Sequence, residues 1–152
     1  MTLSTTYAFP SAQGTERVST RRVWLFGLLA ALAASAANLV LFFLGSALGT
    51  LTPDVMIDAP GGPEPLTPVQ VIRNSFLGAV LATIVFAAIA RFARRPIRAF
   101  RIVAVVVLVL SFAMPVTIRG APLPYILTLE LMHVIAALII VSLLTSRARE
   151  ST

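Results

Sequence analysis

Long uncharged apolar stretches alternate with short arginine-bearing segments along this chain, and the alternation predicts four membrane-crossing helices. The spans are expected at about residues 23–48, 71–90, 102–117 and 125–144. At 1.5 Å per residue the first is about 39 Å long, more than the roughly 30 Å hydrocarbon core, so it tilts or protrudes. The third is short. Phe100 and a snorkelling Arg101 extend it at one end, and Pro115 loosens it at the other.

The connection over 49–68 holds Pro53, Pro60, Pro63, Pro65 and Pro68 with the pair Gly61-Gly62, a composition that excludes helix and favours extended, polyproline-like backbone. The link from Arg119 to Pro124 reads as a tight turn between two antiparallel helices. Residues 1–20 are rich in Ser and Thr without apolar periodicity and read as a mobile tail, followed by one transmembrane domain over 21–147 and a short tail over 148–152. The fold class is therefore all-α, an integral membrane four-helix bundle.

Composition agrees and closes off other classes. The chain of 152 residues is 58% apolar and 12% charged, against about half and a quarter in soluble domains. Its mean hydropathy is strongly positive. Cysteine is absent, which removes disulfides, thiolate metal sites and thiol catalysis.

Charge then orients the bundle. All 12 basic residues are arginine. Arg17, Arg21 and Arg22 precede the first span; Arg91, Arg94, Arg95, Arg98 and Arg101 surround the link between the second and third; Arg147 and Arg149 follow the last. The long 49–68 connection carries Asp54, Asp58 and Glu64 and no basic residue. Because cytoplasmic loops are enriched in arginine, both termini are expected in the cytoplasm, with the chain in a bacterial inner membrane. Thr20-Arg21-Arg22 also looks like a twin-arginine export signal, but the apolar run continues through Leu44 and no soluble domain follows for export. Nucleic-acid binding has no aromatic platform or folded domain to support it.

Small residues mark the expected packing faces, since helices in lipid associate through close backbone approach. The first span offers Gly27, Ala30, Ala31, Ala34, Gly45 and Gly49, and Gly78, Ala79 and Ala82 give the second a matching surface. Val103 to Leu110 is large and branched, as suits a lipid-facing helix.

Polar groups inside a span are costly and are functional-site candidates by default. Counting along the helices, Glu130 lies roughly 7 Å and His133 roughly 12 Å below the outer boundary, at spacing i, i+3 on one face. Asn38 lies roughly 22 Å above the inner boundary. Arg73 and Asn74 open the second span on the outer side, and Ser111 sits near the midplane. One reading is a structural clamp, with Arg73 paired to Glu130 while Asn38 and His133 satisfy each other or neighbouring carbonyls. The other is an outward-facing cavity for a small molecule, a lipid headgroup or an ion, with Asn38, Arg73, Asn74, Ser111, Glu130 and His133 as its ligand-binding candidates.

Glu130-x-x-His133 matches half of a carboxylate-bridged two-metal site, but the other acids such a site needs are missing. His133 alone is a weak candidate ligand for haem or a chlorophyll-type pigment; no cofactor is required by the sequence. No nucleophile motif or phosphate-binding glycine loop is present, so catalysis is not the expected role.

The stretch Leu129-Glu130-Leu131-Met132-His133-Val134, with Asn38 in the first span and Pro115 near the end of the third, resembles a family of uncharacterised four-helix bacterial membrane proteins with a Met-His pair in the fourth helix. That resemblance covers about residues 22–146 and implies no activity. Small multidrug exporters also have four helices, but they carry an essential acid in the first, where this chain has none. The expected role is that of a binding or accessory subunit, packed against other membrane chains or its own copies. The alternative is a transporter or sensor with a site in the outer half of the bundle.

Overall fold

The computed structural model describes residues 20–59 and 61–147, and the expected terminal tails lie almost wholly outside them. The chain is mostly helical: α1 (Thr20–Ala47), α2 (Pro68–Phe92), α3 (Pro96–Ser111), α4 (Ala113–Val116) and α5 (Leu123–Arg147). With α3 and α4 taken as one rod, four helical segments are long and apolar enough to cross a membrane. They point to a membrane protein with a lipid bilayer as its surroundings.

The helices start and stop where backbone chemistry dictates. Pro68 occupies the first position of α2, where a missing N–H costs nothing, and Thr67 caps that helix. Gln70 completes the cap as a capping box: its N–H donates to the Thr67 Oγ1 at 3.4 Å, and its Oε1 accepts from the Thr67 N–H at 2.7 Å. α1 ends before Gly49, whose φ of 71° belongs to the left-handed region. The third rod breaks at Phe112 and resumes as one turn around buried Pro115, because proline cannot donate to the preceding carbonyls.

The long connection between α1 and α2 corrects the expectation of polyproline-like backbone. It folds into an antiparallel hairpin, β1 (Met56–Ala59) and β2 (Gly62–Pro65), with Ile57 opposite Glu64 and Asp58 opposite Pro63. A two-stranded sheet has only edges, where proline is tolerated. Pro63 and Pro65 alternate with Gly62 and Glu64, so the positions lacking an N–H fall on one side of the strand.

Packing is uneven. α1, α2 and α5 meet around Val23, Ala30, Ala31, Ala34, Ala79, Phe86, Ile140 and Leu144, and α3 adds only Ile97 and Phe100 from its first turns. Beyond Phe100 the outward side of α3 is bare: Val105, Val106, Val109 and Leu110 are exposed, as a lipid-facing helix requires. A second cluster at the hairpin end gathers Leu51, Val55 and Tyr125 under Phe42, Leu66 and Leu129. Thr128 Oγ1 donates to Thr50 Oγ1 at 3.0 Å there, tying α5 to the end of α1.

Candidate functional site

Because α3 is fastened at its first turns and stands off further along, a groove remains between α2, α3 and α5, with α1 beneath it. Its volume is about 480 Å³. Val71 to Val85 form the α2 wall, roughly 21 Å of helix at 1.5 Å per residue. Aliphatic side chains and Phe100 make up most of the lining, and no charged group among the described residues contributes to it. The polar lining residues are Asn38, Asn74, Ser75, Ser111 and His133. They lie in the half of the bundle nearer the hairpin, while Val85, Phe100, Ile140 and Val141 make the opposite half wholly apolar.

The two glycines expected to pair α1 with α2 do different things. Gly27 does make the close approach, and its partner is Thr83. Gly78 instead lines the groove, and a β-carbon built on it would meet nothing within 4 Å. The groove mouth therefore lies over Gly78, beside the exposed lining residues Leu81, Val103 and Val107.

Hydrogen bonds engage part of the polar lining. Asn38 is 6% exposed, and its Nδ2 donates to Ser75 Oγ at 2.9 Å. Its Oδ1 is buried without a partner. The ring Nδ1 of His133 lies 2.7 Å from the carbonyl of Leu129. A carbonyl only accepts, so Nδ1 carries a proton, and in the tautomer with that single ring proton Nε2 presents a lone pair. The Ser111 hydroxyl donates to the Leu108 carbonyl at 2.7 Å, leaving its oxygen free to accept.

Two of the six sequence candidates stand apart. Arg73 is exposed, contributes nothing to the groove, and donates through Nε to Asn74 Oδ1 at 3.4 Å. Glu130 is half-buried outside the lining, with Oε2 sealed from solvent and unpartnered. No ion pair joins them among the described residues, so the expected clamp is not the arrangement the fold adopts. Asn38 and His133 do not satisfy each other: Asn38 bonds Ser75, while His133 takes the neighbouring carbonyl of Leu129, the other partner expected for it. The groove unites Asn38, Asn74, Ser111 and His133, one or more from each long helix.

Sequence reasoning missed Ser75, the actual partner of Asn38. The signal was its register, four residues from buried Val71 and four from buried Ala79 on the inward stripe of α2. As for metals, no three His, Cys, Asp or Glu side chains converge among the described residues. His133 faces the groove without Glu130, so the two do not act together there.

A model of a family of unknown function, DUF6069, matches residues 18–150. The chain belongs to that family. The match covers all four membrane-spanning segments, so the resemblance to an uncharacterised family of four-helix membrane proteins holds for nearly the whole chain. No curated protein and no solved structure matches it.

Proposed function

We propose that this protein is a membrane-embedded binding protein for an amphiphile, with the tail along the apolar half of the groove and the head group among Asn38, Ser75, Ser111 and His133. The observation that carries this reading is the groove: about 480 Å³, apolar for most of its length and polar at one end only. Ligand sites are apolar concavities with a few convergent polar groups, and this one is assembled from all the long helices. A subunit that acted only by packing against other chains would direct its polar groups outward to partner helices. Asn38 and His133 line an internal surface instead, which favours a ligand over a purely accessory role.

The same reading places both termini in the cytoplasm of a bacterial inner-membrane setting. Its support is the arginine cluster from Arg91 to Arg101 at one end and the acidic hairpin with Asp58 and Glu64 at the other. The polar half of the groove then faces the outer leaflet.

The test compares wild type with Gly78→Leu, purified in mild detergent, by native mass spectrometry and absorption spectroscopy. A leucine at 78 enters open space in the groove and leaves the helix contacts alone. A bound small mass in the wild type that disappears in the variant, with equal helicity, is the expected result. An empty wild type that co-purifies with another membrane chain overturns the proposal in favour of an accessory subunit, and a visible chromophore lost in His133→Ala does so in favour of a pigment protein.

A further inference from the structure

The hydrogen-bonding states at the polar end of the groove specify the head group more narrowly. We infer that the ligand carries a neutral hydrogen-bond donor, an alcohol or phenol hydroxyl, received by Asn38 Oδ1 or His133 Nε2. The inference rests on the groove being a ligand site and deepens that reading.

Three atoms of the lining residues are acceptors, beside the Ser75 hydroxyl and the Asn74 amide as donors. Asn38 Oδ1 is buried in a side chain only 6% exposed, and it has no partner of its own. An orphaned buried carbonyl oxygen in lipid has no water to turn to, so a ligand donor is the natural partner for it. His133 offers Nε2 because its ring proton is spent on Leu129. Ser111 has spent its proton on Leu108. One of the two amide protons of Asn38 is also engaged, since Nδ2 already donates to Ser75.

Charge excludes the ionic alternatives. An anionic head, phosphate or carboxylate, would meet lone pairs in a low-dielectric site, and the nearest guanidinium in sequence, Arg73, lies outside the lining. An ammonium head would lack a counter-ion, because Glu130 is outside the lining too. A hydroxyl donates one proton and brings no charge to be desolvated. It can also accept in return, matching the Ser75 hydroxyl beside Asn38.

The test uses photoreactive diazirine derivatives of three probes with one common tail: 1-hexadecanol, its methyl ether and its monophosphate. Each is mixed into nanodiscs holding the full chain, and labelling yield and labelled positions are read by mass spectrometry. The alcohol is expected to label the groove about tenfold better than the ether or the phosphate, the scale set by leaving one buried acceptor unmade. In the double variant Asn38→Leu/His133→Phe the alcohol is expected to fall to the level of the ether, with the ether itself unchanged.

Equal labelling of the groove by all three probes, or a preference for ether or phosphate, overturns the donor-head inference while the amphiphile groove stands. An alcohol preference that survives in that double variant also overturns it. Labelling confined to the outer surface, with Gly78→Leu indistinguishable from wild type, overturns the groove reading itself.

Discussion

Gly27 of α1 and Thr83 of α2 share one contact: a β-carbon on Gly27 would land on the Thr83 side chain, 3.0 Å from its Cβ and closer still to Cγ2 and Oγ1. Thr83 cannot swing aside freely, because its hydroxyl donates to the Ala79 carbonyl at 2.7 Å. Gly27→Ala is therefore expected to destabilise the bundle by about 1–3 kcal/mol, the usual cost of overpacking. Thr83→Ala in the same chain removes the obstructing atoms, so the double variant should lose clearly less than the two single losses added together. Unfolding of the four proteins in a detergent titration measures this coupling, and strict additivity would refute the contact.

Gly78 predicts the opposite sign on the neighbouring face. Nothing lies within 4 Å of a β-carbon there, so Gly78→Ala removes backbone entropy from the unfolded chain without a clash. A gain of about 0.5–1 kcal/mol is expected in the same titration. A loss comparable to that of Gly27→Ala would mean that Gly78 is packed after all.

Arg73 and Glu130 should behave as strangers. Exchanging them, or neutralising each in turn, is expected to give a double-mutant cycle whose coupling lies within about 0.5 kcal/mol of zero. Glu130→Gln alone should leave stability unchanged or raise it, because the Oε2 it replaces is buried without a partner. A swap that rescues a damaged single variant would restore the clamp.

The hairpin holds the first turn of α2. Gln70 is buried, and its Nε2 donates to Glu64 Oε1 of β2 at 2.6 Å while its Oε1 closes the cap on Thr67. Gln70→Ala breaks both links and is expected to cost about 1–2 kcal/mol. Hydrogen exchange should quicken over residues 68–74 and leave the centre of α5 unaffected. Uniform acceleration along the chain would mean that the latch is a general stability contact and not a local one.

Orientation can be read without background mutations, since the chain has no cysteine. Gly62→Cys, in the hairpin, should react with an impermeant maleimide added to intact cells. Arg95→Cys, between α2 and α3, should react only after lysis. The reverse pattern would invert the proposed topology.

Much of the architecture was legible because lipid imposes a coarse rule: a helix that satisfies its own backbone and presents apolar side chains outward. Val103 to Leu110 announced their exposure in this way. The inward geometry was harder to read. Gly27 and Gly78 look alike in sequence, yet one sits on Thr83 and the other over open space, because α3 is seated at its first turns, through Pro96, Ile97 and Phe100. Spacing put Arg73 and Asn74 at the right depth, but rotation about α2 decided that Ser75 would meet Asn38 and that Arg73 would face away. The hairpin escaped notice because five prolines outweighed a pairing register that only an edge strand can tolerate.

The mouth of the groove beside Leu81, Val103 and Val107 opens among side chains that face lipid, not water. Entry of the proposed amphiphile would then be a two-dimensional encounter, with occupancy governed by its mole fraction in the surrounding leaflet. A compound nearly insoluble in the aqueous phase still reaches such a site, because partitioning has concentrated it before the protein is met. Modest intrinsic affinity suffices under those conditions, and diluting the membrane with inert lipid empties the site as effectively as removing the ligand.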